Sequence, residues 1–400
     1  MKTVAAAIDF GTSKIVTLLA ESGGFTRCDI VGSGTVPYDG YMDGQWISRE
    51  GTIAALRESI DAAEAESRRK IDTVYVGVPC ENVRMLTVEA EVDVSSEDGR
   101  ISDADIDAVQ DAAADKLNLS QMGAYVIHRS PAWFSIDGGK KTMSPLGSKG
   151  EKIRANVSFI LADPEFCEDV RGMLSRMGIT VLAFFSSAIG LALLLLPIDE
   201  RDRTALVVDV GYLNTEISVL EGDAITYHAV APLGGGHITA DLAQRLEISM
   251  AAAEALKRDF NFVPDEFDND SDPEVRDEEG MIVTFPRNLV RNTIEDTAGE
   301  LMDMVLAVMQ DAASHLGPKA QIYLTGGGLA LMRGGREYVS GKLGRSVKSP
   351  MSRSSKLNSP RYASALGLMD LVFDSIEQRE PQEESLTNRI SGKVKNLFHK

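Results

Sequence analysis

Three short runs in this chain carry groups suited to holding a polyphosphate. The first is Asp9-Phe10-Gly11-Thr12-Ser13-Lys14, at the end of an apolar run that starts at Val4. Its backbone N–H groups, two hydroxyls and ammonium can donate to phosphate oxygens, while the Asp9 carboxylate can orient water around a magnesium ion. The second, Asp209-Val210-Gly211, closes the apolar run that starts at Ala205. The third, Leu324-Thr325-Gly326-Gly327-Gly328, offers bare backbone on which a flat adenine can lie. Any one of them alone is an ordinary β-turn signal. In this order they describe phosphates held between two turns, with a base set against the third.

The elements around these runs repeat. Residues 4–19 and 205–220 each read as buried strand, polar turn, strand, with the two Asp-x-Gly turns 200 positions apart, which is the mark of an internal duplication. Between them, the run Thr73-Val74-Tyr75-Val76-Gly77-Val78 and residues 153–161 read as strands enclosing a helix over 103–117. Ser102 supplies the N-cap and acids fill the first turn, so this is an expected small α+β insert. Helical periodicity runs over 238–260 and 289–316, and a strand over 320–324 leads into the glycines. Residues 181–196 are the longest apolar stretch, expected as a helix buried between domains. Ser186, Ser187 and Gly190 interrupt it, and it is shorter than the roughly 20 residues that cross a bilayer.

With 400 residues, 44% of them apolar, the chain can build two to four domains. Its 60 acidic and 41 basic residues give a net charge of −19, which argues against nucleic acid as a partner. Cys28, Cys80 and Cys167 form neither a disulfide framework nor a zinc pattern, as suits a reducing cytosol, and Asp9 interrupts the N-terminal apolar run too early for a secretory leader. The charge is unevenly placed: −8 over 265–279, −4 over 374–384 and +4 over 385–400, leaving −11 on the remaining body. Asp268, Asp270, Asp272 and Glu279 echo a calcium loop, but Pro273 stands where its glycine is needed, so a solvated loop is expected.

The order of phosphate turn, insert, second phosphate turn, helix with Ala253-Glu254-Ala255-Leu256-Lys257, then Gly326-Gly327-Gly328 resembles the actin-like ATPase superfamily. Within it the chain resembles the FtsA cell-division family, from Ala5 to about Leu371 and again in the last sixteen residues. Pro232-Leu233-Gly234-Gly235-Gly236-His237-Ile238-Thr239-Ala240-Asp241-Leu242-Ala243 and Pro286-Arg287-Asn288-Leu289-Val290-Arg291 are part of that likeness. The resemblance implies an α/β, two-lobed actin-like fold of duplicated ribonuclease H-like domains, with a small SHS2-type insert replacing one of actin's subdomains. The lobes would be 1–72, 166–203 and 363–373, then 204–233 and 319–362, with the insert at 73–165, an outer subdomain at 234–318 and an acidic linker at 374–384. It also implies ATP and Mg²⁺ as ligands. Asp9, Gly11, Thr12, Ser13 and Lys14 would contact nucleotide, as would Asp209, Gly211, Thr215 and Glu216, with Asp9 and Asp209 reaching the metal through water. Glu254 and Lys257, three apart on one helix face, would hold the ribose, and Gly326, Gly327 and Gly328 the adenosine.

The chain departs from the family in two places. Tyr212-Leu213-Asn214 stand where the second turn is normally Gly-Gly-Thr, and a bulky residue at positive φ would be strained. Residues 181–196 contain no carboxylate or amide to activate water, so binding without appreciable hydrolysis is expected. Arg287 and Arg291, four apart, suit an acidic peptide, which by resemblance is the C-terminal tail of the tubulin-like FtsZ. In residues 385–400, Leu386, Ile390, Val394, Leu397 and Phe398 share an arc of about 120° at helical spacing. Arg389, Lys393, Lys395 and Lys400 can snorkel to lipid phosphates, each worth about 1 kcal/mol near an anionic surface. The implied protein is a cytoplasmic polymer at the division septum that tethers FtsZ to the membrane and recruits later division proteins. The competing readings are an actin-like type IV pilus assembly protein and a small-molecule kinase of the same fold.

Overall fold

The run from Val4 is unbroken by polar residues until Asp9 because it forms a central strand, β1 (Val4–Phe10), buried from Ala5 onwards. In the computed structural model all residues are described except 1, 24–27, 43–44, 118–122, 124, 198–199, 201–202, 264–270, 277–279, 318, 351–356 and 380–400. Strand β2 (Lys14–Ser22) returns antiparallel to β1 with Phe10 opposite Ile15, and β3 (Cys28–Pro37) follows at the edge. A short hairpin, β4 (Tyr41–Met42) and β5 (Gln45–Trp46), leads to α1 (Arg49–Ser67), whose first turn is capped by the Ser48 hydroxyl. Strand β6 (Thr73–Val78) then lies parallel to β1, so this run, expected in the insert, belongs to the first lobe.

The insert follows as β7 (Val83–Asp93), α2 (Asp103–Lys116), β8 (Tyr125–Ile136) and β9 (Lys152–Ala162), with sheet order β7-β9-β8. Ser102 and Asp105 form a reciprocal capping box on α2, and the helix buries Val109 and Ala113 in a core of their own with Phe134, Ile153 and Phe159. The chain returns to the first lobe through α3 (Pro164–Ser175), β10 (Thr180–Ser186) and α4 (Ser187–Leu195). The apolar stretch 181–196 is therefore not one helix. Its first part, with Val181, Phe184 and Phe185, pairs in parallel with β6, and helix begins only where the Ser186 hydroxyl caps the amide of Ile189. Among the described residues no helix is long and apolar enough to cross a membrane.

The second lobe repeats the first. Strands β11 (Ala205–Val210), β12 (Thr215–Glu221) and β13 (Ala224–Ala231) are followed by α5 (Gly235–Leu246) and α6 (Met250–Asp259). Glu247, at φ 54°, ends α5, and the Ser249 hydroxyl caps α6, which divides the helical periodicity of 238–260. Then come the hairpin β14 (Glu274–Arg276) and β15 (Ile282–Thr284), the long α7 (Arg287–Asp311), β16 (Gln321–Thr325), α8 (Gly335–Leu343), β17 (Val347–Lys348) and α9 (Ala363–Arg379). The sheets run β3-β2-β1-β6-β10 and β13-β12-β11-β16-β17, with parallel and antiparallel pairings in the same places. The duplication suggested by two turns thus extends to five strands in each lobe.

Two contacts tie the parts together. The insert docks on β13: Ser130 and Ser158 hydroxyls donate to the carbonyls of Asp223 and Ile225 at 3.1 and 2.6 Å, and Ala132, Trp133 and Met143 enclose Ala224. Helix α9 returns to the first lobe and crosses α4 so closely that a Cβ on Gly367 would stand 2.3 Å from the Gly190 backbone. Gly367→Ala should therefore lower stability by about 1–3 kcal/mol through overpacking. A chemical-denaturation midpoint equal to that of the wild type would refute the close crossing.

Candidate functional site

The two Asp-x-Gly turns are geometric copies. Gly11 N donates to the Lys14 carbonyl at 3.0 Å, and Gly211 N donates to the Asn214 carbonyl at 2.9 Å. Each joins its lobe's central strand to the antiparallel partner, with Phe10 opposite Ile15 and Val210 opposite Thr215. Both turns open onto one cavity of about 970 Å³, within the range of small-molecule sites. Asp9, Gly11, Thr12, Ser13, Lys14, Asp209, Gly211, Glu216, Glu254, Lys257, Gly326, Gly327 and Gly328 all line it. Thr215 does not. It is wholly buried, and its hydroxyl donates to the Leu233 carbonyl at 2.7 Å, so it fixes the turn rather than facing a ligand.

First-turn residues of four helices also line the cavity: Ser187 of α4, Gly235 of α5, Met250 of α6 and Ser364 of α9. Helix N-termini carry partial positive charge and favour anions. Four carboxylates line the same cavity: Asp9, Asp209, Glu216 and Glu254. Asp9 is buried, accepting hydrogen bonds from Ser187 and Ser364 hydroxyls at 2.9 and 3.0 Å. Burial pushes its carboxyl above the usual range, and the two hydroxyls and Lys14 offset this only in part. Burial raises Asp209 to about 7, with Glu216 and Asp9 adding to the rise and Lys14 opposing it. Glu216 lies opposite Asp209 on β12 and meets His228 Nε2 at 3.1 Å. Burial, and then the charge of Arg361, lower the Lys14 ammonium, while Asp9 and Asp209 hold it up.

This donor set fits a phosphate-bound, hydrated cation. Among the described residues no group of three or more His, Cys, Asp or Glu is placed to hold a bare metal ion, and Asp9 and Asp209 are the carboxylates at the two turns that could orient water around a hydrated one. The cavity wall fits an adenine at one glycine. A Cβ on Gly327 would meet only Arg361 Cβ, at 3.6 Å, whereas Gly326 (φ 90°) and Gly328 have close contacts with Asp209 and Val210 that exclude a side chain. Those two glycines seat β16 against the second turn, and Gly327 alone leaves backbone open.

Other expected residues have different tasks. Lys257 is buried, and its three donors are spent on Glu254 (2.6 Å), the Gly235 carbonyl (2.9 Å) and the Thr239 hydroxyl (2.9 Å). Burial lowers its pKa, against the pull of Glu254. It fastens α6 to the start of α5, and Glu254 in turn accepts from the Thr239 hydroxyl and pairs with Arg258. Residues 212–214 avoid the expected strain: among the described residues positive φ at a non-glycine occurs only at Arg68, Asp137 and Glu247. The turn instead reaches across the cleft, where Leu213 N donates to the Thr12 hydroxyl at 3.1 Å and the Asn214 amide to Glu81 at 2.5 Å.

Arg287 and Arg291 lie on the first two turns of α7, outside the cavity. Arg291 pairs with Glu295 at 2.7 Å and stacks on Phe260, and the amide of Arg287 donates to Asp272. The tail positions Leu386, Arg389, Ile390, Lys393, Val394, Leu397 and Phe398 lie outside the described residues, as do Asp268, Asp270 and Glu279. Ser364, Arg361 and Tyr38, whose hydroxyl donates to the Gly11 carbonyl at 2.8 Å, join the site without any signal in the sequence.

Because the unfolded Asp209 ionises near 4 and the folded one near 7, its contribution to stability is full below pH 4 and is lost as pH rises through 7. In metal-free protein the loss should be on the order of 2–4 kcal/mol, and Asp209→Asn should flatten the fall in melting temperature between pH 5 and 8. An unaltered slope in that variant would remove Asp209 as the titrating group.

Two family models match the chain: "Cell division protein FtsA" over residues 206–367 and "SHS2 domain inserted in FTSA" over residues 80–161. The chain is 26% identical over 392 residues to the cell division protein FtsA of Neisseria meningitidis serogroup B, covering 94% of this chain and 92% of that one. It is 24% identical over 372 residues to FtsA of Bacillus subtilis, covering 92% and 82%. Among solved structures it is similar to that of the PilM-PilN type IV pilus biogenesis complex, with a TM-score of 0.63, 19% identity and 92% and 98% coverage. It is also similar to MreB 5 of Spiroplasma citri bound to AMPPNP, with a TM-score of 0.50, 17% identity and 94% and 98% coverage. These likenesses establish an actin-like two-lobed fold carrying an SHS2 insert.

Proposed function

The chain belongs to the FtsA family of cell-division proteins, and from that premise we propose that it binds ATP with magnesium between its lobes and links division filaments to the membrane. The observation that carries the nucleotide reading is the pair of copied turns facing one cavity lined by first-turn residues of four helices. Phosphate would be held by Lys14, the Thr12 and Ser13 hydroxyls and the positive helix ends, and Asp9 and Asp209 would orient water around the cation. Magnesium, when bound, neutralises phosphate charge. Hydrolysis should be slow. Ser186 is spent on capping α4 and Ser187 on Asp9, so α4 offers no group to take a proton from water.

In this reading several copies polymerise, and residues 385–400 lay their apolar arc into an anionic membrane on its cytoplasmic face, at the division septum. Modest binding of one tail becomes firm by avidity along a polymer. Arg287 and Arg291 would receive the acidic FtsZ tail, exchanging the Glu295 pairing of Arg291 for the peptide. The insert would meet later division proteins. Likeness to the pilus complex at 19% identity speaks for the fold alone. A small-molecule kinase would have no use for an amphipathic tail.

A fluorescent-nucleotide titration should detect ATP binding in the presence of magnesium, weakened at least tenfold in Lys14→Ala by loss of a charge-assisted contact. Absence of affinity in the folded wild type would end the nucleotide assignment. Removing residues 385–400 should abolish co-sedimentation with anionic liposomes, and undiminished sedimentation would eliminate the anchor.

A further inference from the structure

Arg361 lies in none of the phosphate or adenosine runs, yet it lines the cavity with Lys14 and Gly327. It occupies the single turn Pro360–Tyr362 that leads into α9, three residues before Ser364, whose hydroxyl bonds Asp9. It also borders the one open glycine of the cavity wall, since its Cβ is all that a side chain at Gly327 would meet. Its guanidinium lies over the Tyr362 ring, 4.7 Å from the centroid, and Nη2 donates to the Tyr362 hydroxyl at 2.8 Å. An arginine stacked in this way has its face occupied and its plane fixed, and most of its edge N–H donors remain to be used.

The other cations of the cavity are treated differently. Arg258 is tied to Glu254 at 2.9 Å and Lys257 to the same carboxylate at 2.6 Å. Among the described residues no carboxylate forms an ion pair with Arg361 or Lys14. Two cations left without ion pairs on one cavity repel each other, and the charge of Arg361 is the largest influence on Lys14 after burial. A polyanion reaching both would relieve that repulsion.

We propose that Arg361 is a phosphate-binding residue of this cavity, which with Lys14 brackets the polyphosphate of the bound nucleotide. The assignment rests on the nucleotide reading above. It selects for ligands with at least two phosphates, because its edge donors suit non-bridging phosphate oxygens and its stacking face is already taken by Tyr362.

The test is calorimetric titration of the full chain, with magnesium, against adenosine, ADP and ATP. Arg361→Ala should weaken ADP and ATP about tenfold or more and leave adenosine unchanged, while Arg361→Lys should restore part of the loss. Arg361 is exposed, so both variants should keep the wild-type melting temperature. An equal loss for adenosine, ADP and ATP would show a base-stacking role and overturn the assignment, as would wild-type affinity in both variants. A folded wild type that binds none of the three ligands would overturn the nucleotide reading, and this assignment with it.

Discussion

Two carboxylates at the ends of the two central strands, Asp9 buried and Asp209 half-buried, set the conditions for everything around them. Asp9 and Asp209 are drawn out of water with Glu216 beside them, and the protein compensates them only in part. Ser187 and Ser364 supply hydroxyls from two helices, Lys14 supplies a charge that is itself weakened by burial, and the N-terminal turns of four helices at the cavity supply partial charge. Buried ionisable groups left partly compensated in a cleft are characteristic of a site that completes itself with a ligand. In the reading proposed above, that ligand is a cation with its anion. The acids call for positive charge, and the rim of helix ends and basic side chains calls for negative charge.

The same cleft is bridged by the chain itself. Thr12 and Leu213 meet across it, as do Glu81 and Asn214, and the insert that grows from the first lobe rests on β13 of the second. Glu81 stands at the root of that insert, just before β7. The lobes cannot part without sliding the Ser130 and Ser158 contacts along β13 or carrying the insert with them. The insert, rooted in the first lobe and resting on β13 of the second, therefore spans both lobes.

Much of this was legible in the sequence, for a physical reason. The duplicated turns could be read because burial on both faces forces central strands into unbroken apolar runs, and Asp and Gly must then punctuate them. The capping box at Ser102 was legible because capping is local. What escaped depends on partners distant in the chain. Residues 181–186 read as helix until β6 supplies their hydrogen-bonding edge. Thr73–Val78 reads as part of the insert until it pairs with β1. The bonds of Lys257 to Gly235 and Thr239 arise only when α5 and α6 pack together. Arg361 carries no motif at all, and only the return of α9 to the first lobe brings it to the cavity.

The second turn shows how a departure from a motif can preserve geometry while changing use. Glycines there would let backbone approach a phosphate at any φ, and Tyr212, Leu213 and Asn214 forgo that freedom. The turn nonetheless closes with the same hydrogen bond as the first, Gly211 to Asn214 matching Gly11 to Lys14, and none of the three residues takes a positive φ. Its carbonyls are taken up by α5, where the amides of Gly235 and Gly236 donate to Gly211 and Tyr212 at 2.9 and 2.7 Å. The Tyr212 ring covers Gly236, where a Cβ would come within 2.8 Å of it. With its carbonyls held by α5 and the Leu213 amide given to Thr12, the turn is braced from both lobes. In the proposed reading such bracing favours holding a ligand over the repeated opening that turnover requires.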